Sequence, residues 1–256
     1  MALVVILIGL VGLGVRSHWD GWTRAFAASS HRPQVEPCPA AAVDIVREAP
    51  AVRGASAQAT TQKSVALTFD DGPGPWTPEV LAILEQKGVR ATFFVIGRQA
   101  AAQPDTIREI ADAGHLVENH TWSHRIPSVS RGWQAGTLTS EIARTSRAIT
   151  AAGAKACLFR PPGGVVKGAL QPARAAGLST VLWSVDTRDW DAKLAPPTRR
   201  PEQIRHRAQA GLSQPHPILL LHDGGGDRAA TVAALPRIID DFRASGYRFV
   251  RMDGRP

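Results

Sequence analysis

Ser64-Val-Ala-Leu-Thr-Phe-Asp-Asp-Gly-Pro-Gly-Pro-Trp-Thr-Pro-Glu79 is the stretch whose reading decides the fold. Residues 65–69 are a short, β-prone apolar run and read as a strand. The glycines and prolines after Asp71 break that run and turn the chain. Thr77, Pro78 and Glu79 then read as an N-cap, a first-turn proline and an acidic first turn, opening a helix that ends near Gly88. Residues 91–96 are the next strand. Strand, turn, helix and strand in that order make one parallel β/α unit.

The unit recurs towards the C-terminus. Strands are expected at 115–119, 157–159, 180–185, 218–221 and 247–250, and helices at 104–113, 138–152, 169–177, 202–210 and 229–244. About seven strands alternating with helices are compatible with a closed barrel or an open doubly wound sheet. The expected fold is α/β, a barrel with an irregular strand count over residues 63–256.

Upstream the character changes. Residues 2–15 are apolar without interruption until Arg16, shorter than the roughly 20 residues of a membrane span but suited to the h-region of a secretory signal. Ala25-Phe26-Ala27 fits a small-residue cleavage site, although no Lys or Arg precedes the apolar run. Residues 1–27 are therefore expected to be a signal peptide or membrane anchor, and the protein to be secreted or membrane-anchored, outside the cytoplasm. Residues 28–62, rich in Ala, Pro and Ser without periodicity, read as a linker or loosely packed arm. The 30 Lys+Arg against 22 Asp+Glu give a charge of +8, compatible with association with an anionic cell wall or membrane through the N-terminal segment. No basic run is interleaved with aromatics, so nucleic acid is not an expected partner. Cys38 and Cys157 belong to no Cys-x-x-Cys pair, which excludes a cysteine-built zinc site. They can form one disulfide or stay apart, and geometry decides between the two.

Polar clusters fall just after the expected strands: Asp70-Asp71, His120 with His124, Arg160, Asp186 with Asp189-Trp190, and His222-Asp223. Active sites of β/α barrels are built on that C-terminal rim. His120-Thr-Trp-Ser-His124 spaces two imidazoles so that one helical turn aims both at one point. With a carboxylate they make a His–His–Asp set, which leaves positions open for water and suits Zn²⁺, Co²⁺, Ni²⁺ or Fe²⁺. The adjacent carboxylates Asp70 and Asp71 repel unless a cation separates their roles, one ligating and the other free as a base. Asp-Asp-Gly-Pro-Gly-Pro is equally turn chemistry. Arg160 can hold a carboxylate through a bidentate pair. Pro161 and Pro162 have no N–H, so Gly163 supplies the first free backbone donor after Arg160, placed to serve an oxyanion. His222, at the mouth of a buried strand, can protonate a leaving amine if a carboxylate keeps its pKa high, and Asp186 and Asp189 are both candidates for that partner. Trp190 offers a flat apolar wall to a sugar face or acetyl methyl, or else packs in the core.

Thr68-Phe-Asp-Asp-Gly72, His120-Thr-Trp-Ser-His124, Arg160-Pro-Pro-Gly-Gly164, Asp186-Thr-Arg-Asp-Trp190 and Leu219-Leu-Leu-His-Asp223 resemble, in order, the motifs of polysaccharide deacetylases, the NodB-homology group or carbohydrate esterase family 4. The resemblance covers about residue 62 to the C-terminus. It implies a distorted (β/α) barrel and a zinc-type metal on Asp71, His120 and His124, with Asp70 as general base and His222 as general acid. By the same analogy Arg160 positions Asp70, Asp189 tunes His222 with Asp186 in support, and Gly163, Trp190 and Leu220 contact substrate. The substrate class implied is an N-acetylated polysaccharide or oligosaccharide, with xylan O-acetyl ester or small-amide hydrolysis, or non-catalytic glycan binding, as alternatives. One departure is visible: the family usually carries an aromatic residue, often Tyr, where this chain has Gly163, so sugar stacking at that position is lost.

Overall fold

The computed structural model describes Cys38, residues 45–50 and residues 62–256. The expected signal or anchor at 1–27 and most of the 28–62 stretch lie outside the described residues. Among the described residues no helix is long and apolar enough to cross a membrane.

All strand pairs are parallel. In chain order the strands are β1 (Ile45–Val46), β2 (Ser64–Asp70), β3 (Thr92–Val95), β4 (Leu116–Asn119), β5 (Leu158–Phe159), β6 (Ser179–Val181), β7 (Val185–Asp186), β8 (Ile218–His222) and β9 (Arg248–Phe249). Their order in the sheet is β1-β6-β5-β4-β3-β2-β8-β7, with β9 added beside β2. Each strand read from the sequence is present, but the one expected at 180–185 is split. Its first half, β6, pairs with β1 and β5, while its second half, β7, pairs with β8. Leu182 N–H donates to Val46 O and Ser184 N–H to Ile218 O, so one short segment serves both ends of the sheet order. Such a link spans only about 10 Å, and the sheet therefore closes into a distorted barrel through this break.

β1 is a second difference from the sequence reading. Within the stretch read as linker or loose arm, residues 45 and 46 supply a strand, Ala49 is buried, and Cys38 is bonded to Cys157 across 119 residues with a Cα–Cα distance of 5.3 Å. Two pairing residues lack the length to show a period in the sequence.

Alternation along β2 explains the core. Val65, Leu67 and Phe69 join Phe93, Val95, Val80 and Leu84 in the layer between sheet and helices. Ala66 faces the other way, into the barrel, where it meets Phe94, Val181, Ile218 and Val250. A parallel strand covered on both faces must be apolar throughout. That pattern fails at Ser64, Thr68 and Asp70, all on the inner face, the last two near the C-terminal end.

The helices α1 (Thr77–Lys87), α2 (Gly97–Ala102), α3 (Pro104–Asp112), α4 (Ala135–Ala151), α5 (Leu170–Ala175), α6 (Arg200–Ala208) and α7 (Ala229–Ala244) pack outside the strands. Gly88 ends α1 at φ 60°, a left-handed cap conformation that glycine takes without a Cβ penalty. Thr77 is not the N-cap expected of it; Trp76 is. Its hydroxyl instead accepts the Gly74 N–H and donates 2.6 Å to Asp223 Oδ2, a partner far away in sequence.

Candidate metal centre and its flanking acid and base

β2 and β8 lie side by side with Asp70 opposite His222, so the last residues of two buried strands face each other across the rim. Asp71 follows at φ 73°, a left-handed conformation that costs a non-glycine residue about 1–3 kcal/mol and tends to mark functional sites. The turn is crowded. A Cβ at Gly225 would overlap Asp71 Oδ2, and one at Gly72 would overlap the Asp223 carboxylate. Both glycines are there because the carboxylates take the room.

Oδ1 of Asp71 lies 3.0 Å from His124 Nε2 and 3.5 Å from His120 Nε2. One ligand atom from each of the three residues falls within 4.8 Å of the others. The histidines do not converge by a helical turn, as expected from their spacing. They sit on an irregular loop after β4, with Thr121 at φ 67° and His124 at φ 56°. His120 Nδ1 is 2.7 Å from Arg160 O, a carbonyl that can only accept, so the proton is on Nδ1 and the Nε2 lone pair faces Asp71. Burial pushes the pKa of His120 down to about 3 against the pull of Asp71, so the ring is neutral at ordinary pH. Asp71 Oδ1 is buried with no hydrogen-bond partner among the described residues. A neutral ring nitrogen and an orphaned carboxylate oxygen aimed at one point are costly together unless a cation sits between them. The donor set, two imidazoles and one carboxylate, therefore fits a divalent metal.

Asp70 is held apart from this set. Its Oδ1 accepts from Arg160 Nη1 at 2.7 Å, while Oδ2 stands 3.6 Å from His120 Nε2. Arg160 is completely buried, also donates to Thr68 Oγ1 and Leu182 O, and stacks 4.1 Å over Phe94. Its pairing with Asp70 is through one nitrogen rather than the bidentate fork expected.

On the other flank, the structure chooses between the two carboxylates proposed for His222. Asp189 Oδ1 is 2.7 Å from His222 Nδ1, and its Oδ2 accepts the His222 N–H and the Thr231 hydroxyl. Burial works against the charged ring, but Asp189, Asp70 and Asp71 outweigh it and raise the His222 pKa to about 9. Burial alone would raise Asp189; His222, Thr231 and Arg228 outweigh it and hold its pKa below the usual value. Asp186 is not a partner of His222. Its Oδ1 accepts from Arg188 N and, at 3.3 Å, from Trp190 Nε1, which makes it the anchor of the tryptophan. Trp190 is 48% exposed, so it is not core packing. Leu220 is buried on the same strand face as His222.

Gly163 lies in a tight turn, Pro162–Gly164, at φ 64°, and its N–H makes no hydrogen bond among the described residues. A Cβ there would come 3.0 Å from Ile126 Cγ2. Ile126, 55% exposed, takes the space that a side chain at 163 would enter. The sequence carried no signal for Ile126. In the sequence Asp223 stands out only as the end of the Leu219–Asp223 motif. It is wholly buried, its Oδ1 lacks a partner among the described residues, and burial raises its pKa to about 7 although Thr77 holds it.

The family described as polysaccharide deacetylase matches residues 57–181. A peptidoglycan-N-acetylglucosamine deacetylase of Bacillus cereus is 39% identical over 195 residues, covering 74% of this chain and 86% of that protein. A chitooligosaccharide deacetylase of a Bradyrhizobium species is 41% identical over 192 residues, covering 72% and 82%. Among solved structures, the family 4 carbohydrate esterase from Streptomyces lividans in complex with acetate superposes with a TM-score of 0.61 at 36% identity, over 72% of this chain and 90% of that one. This chain belongs to the polysaccharide deacetylase family.

Proposed function

We propose that this protein is a metal-dependent hydrolase that removes N-acetyl groups from amino-sugar residues of a polysaccharide, peptidoglycan or a chitin-like chain. The observation that carries the reading is the pair Asp70 and His222, opposite each other on adjacent strands and flanking Asp71, His120 and His124. The deacetylases among its relatives support the same chemistry.

Asp71, His120 and His124 would hold the cation. A divalent metal there, Zn²⁺ by its donor preference and Co²⁺ or Ni²⁺ by similarity, supplies Lewis acidity to the water and the acetamide carbonyl. Asp70, fixed by Arg160, takes the proton as water oxygen bonds to the carbonyl carbon. The Gly163 N–H, which makes no hydrogen bond among the described residues, would donate to the oxygen that becomes negative. His222 then delivers its proton to the amide nitrogen, the C–N bond breaks, and acetate and the free amine result. A ring with its pKa raised to about 9 suits this step, because an amine must be protonated to leave. Trp190, anchored by Asp186, and Leu220 offer apolar surface to the acetyl group and sugar.

Extracytoplasmic placement is part of the proposal. The Cys38–Cys157 disulfide supports it, since such bonds persist in oxidising compartments. The apolar residues 2–15 are proposed as signal or anchor, and the charge of +8 as a means of wall or membrane association.

The deciding experiment measures acetate release from chito-oligosaccharides, peptidoglycan fragments and acetylated xylan, before and after chelation and metal restoration. Chelator-sensitive release from the N-acetylated substrates, abolished in Asp70→Asn, is the expected result. Release from xylan alone would make the protein an O-acetyl esterase, and undiminished Asp70→Asn activity would remove the base assignment.

A further inference from the structure

The loop that carries the two histidines has two carbonyls, Thr121 O and Trp122 O, that accept from the Gly97 and Arg98 N–H groups of α2, while its own N–H groups are bound by side chains. From Thr121 to His124 all four N–H groups donate to side-chain oxygens: Thr121 to Asn119 Oδ1, Trp122 and Ser123 to Glu141 Oε2, and His124 to Thr121 Oγ1. The two bonds to Glu141 are 2.9 and 2.7 Å, and the Ser123 hydroxyl adds contacts of 3.1 and 3.0 Å to its two oxygens. Glu141 is on α4, which also grips Asn119 through Ile142 O and Ser146 Oγ. One turn along the same helix, Arg144 places its guanidinium 4.1 Å from the Trp122 ring.

The segment Glu141 holds lies between the two left-handed residues, Thr121 and His124. Neither conformation is one a free chain keeps, and both persist only where the surroundings over-determine them. A bound carboxylate at the centre of the loop does that: it fixes residues 122 and 123, and so sets the angle at which the His124 ring leaves the backbone. His120 has Arg160 O to orient it, whereas among the described residues His124 shows no such ring partner other than Asp71.

We propose that Glu141 is a positioning residue for the metal centre, holding the 121–124 loop so that His124 meets Asp71 and His120 at one point. This rests on the reading of those three residues as ligands. Outer partners of metal ligands change affinity by about 10–100-fold when removed, and Glu141 acts one step further out, through backbone.

The test is metal affinity in the full-length protein, with acetate release followed separately. Zn²⁺ is titrated against a chromophoric chelator, and Co²⁺ by its visible absorption, in wild type, Glu141→Ala and Glu141→Gln, with circular dichroism and melting curves alongside. Glu141→Ala is expected to keep its fold and lose roughly tenfold or more in affinity, with an altered Co²⁺ spectrum. Glu141→Gln, whose amide oxygen still accepts both N–H groups, is expected to stay within about threefold. A Glu141→Ala protein that melts earlier but binds Zn²⁺ like wild type would reduce Glu141 to a structural contact and overturn the proposal. If that variant does not fold, Glu141→Asp, one methylene too short to reach the loop, is measured in its place; wild-type affinity there overturns the proposal equally. Wild type that binds Zn²⁺ yet releases no acetate would count against the function and leave this inference standing. Wild type that binds neither metal would overturn both.

Discussion

His222 Nδ1 lies 2.7 Å from Asp189 Oδ1, and the backbone N–H of the same histidine donates 2.8 Å to Asp189 Oδ2. One carboxylate thus fixes both the ring and the strand end that carries it. The arrangement leaves Nε2 as the free nitrogen and keeps the ring charged.

Asp189→Asn tests that arrangement through pH dependence. With its pKa raised to about 9, His222 is protonated through neutrality and loses its proton as pH rises through that value. Removing the Asp189 charge leaves burial, which lowers the pKa, as the dominant influence. The alkaline limb of kcat is expected to move down by about a unit or more, with roughly 10²-fold or greater loss of kcat. An unmoved limb would detach His222 from the acid role.

Arg160→Ala strips a buried carboxylate of its cation. The expected loss is about 3–5 kcal/mol of stability, read from chemical denaturation. Asp70→Asn added to it should recover part of that loss, because the uncompensated charge is then gone. Additive losses would show that Asp70 and Arg160 are not energetically coupled.

Glu118 predicts an effect on stability alone. Burial raises its pKa to about 8 although the Cys157 and Leu158 N–H groups, each 2.7 Å from Oε2, favour the anion. Between the unfolded value, 4.5, and about 8 the folded state holds a proton that the unfolded state has lost, so stability falls as pH rises through this window. Glu118→Gln, neutral at every pH, is expected to match wild type near pH 5 and exceed it near pH 8. Parallel stability profiles for the two proteins would contradict this.

Ile126 and Gly163 share one space. Gly163→Tyr places a Cβ against Ile126 and forces a non-glycine residue to φ 64°, an expected cost of about 1–3 kcal/mol. Combined with Ile126→Ala, the clash is relieved, and the double variant is expected to melt above Gly163→Tyr alone and to have a lower KM for chitotetraose. Strict additivity in a double-mutant cycle would remove Ile126 from this role.

The Cys38–Cys157 bond closes a separation of 119 residues. Cys38→Ser, or reduction, is expected to lower stability by roughly 2–5 kcal/mol. Calorimetric scans with and without reductant check this, and an unchanged melting temperature would contradict it.

What was legible in the sequence was what short-range pattern encodes. Val65, Leu67 and Phe69 announce a strand by composition, and the polar residues just beyond each strand announce a rim, because a parallel strand buried on both faces leaves its C-terminal end as the place for charge. Thr77 departs from the N-cap its neighbours suggest because that pattern describes local geometry, whereas its hydroxyl is claimed by Asp223, 146 residues away. His120 and His124 converge as their spacing suggested, but through left-handed turns imposed by neighbouring elements rather than a helix. Glu141, an ordinary helix residue by every sequence criterion, carried no signal.

The sequence by itself determined the β/α alternation, the closed set of polar residues on one rim and the family, since these depend on residue type and order along the chain. Only the tertiary structure decided that Asp189 rather than Asp186 partners His222, that Cys38 meets Cys157, and that the fifth expected strand divides to close the barrel. Those outcomes depend on distances between residues far apart in the chain. Hydrogen bonds and disulfides have ranges of a few ångströms, and no pattern along the chain specifies separations that small.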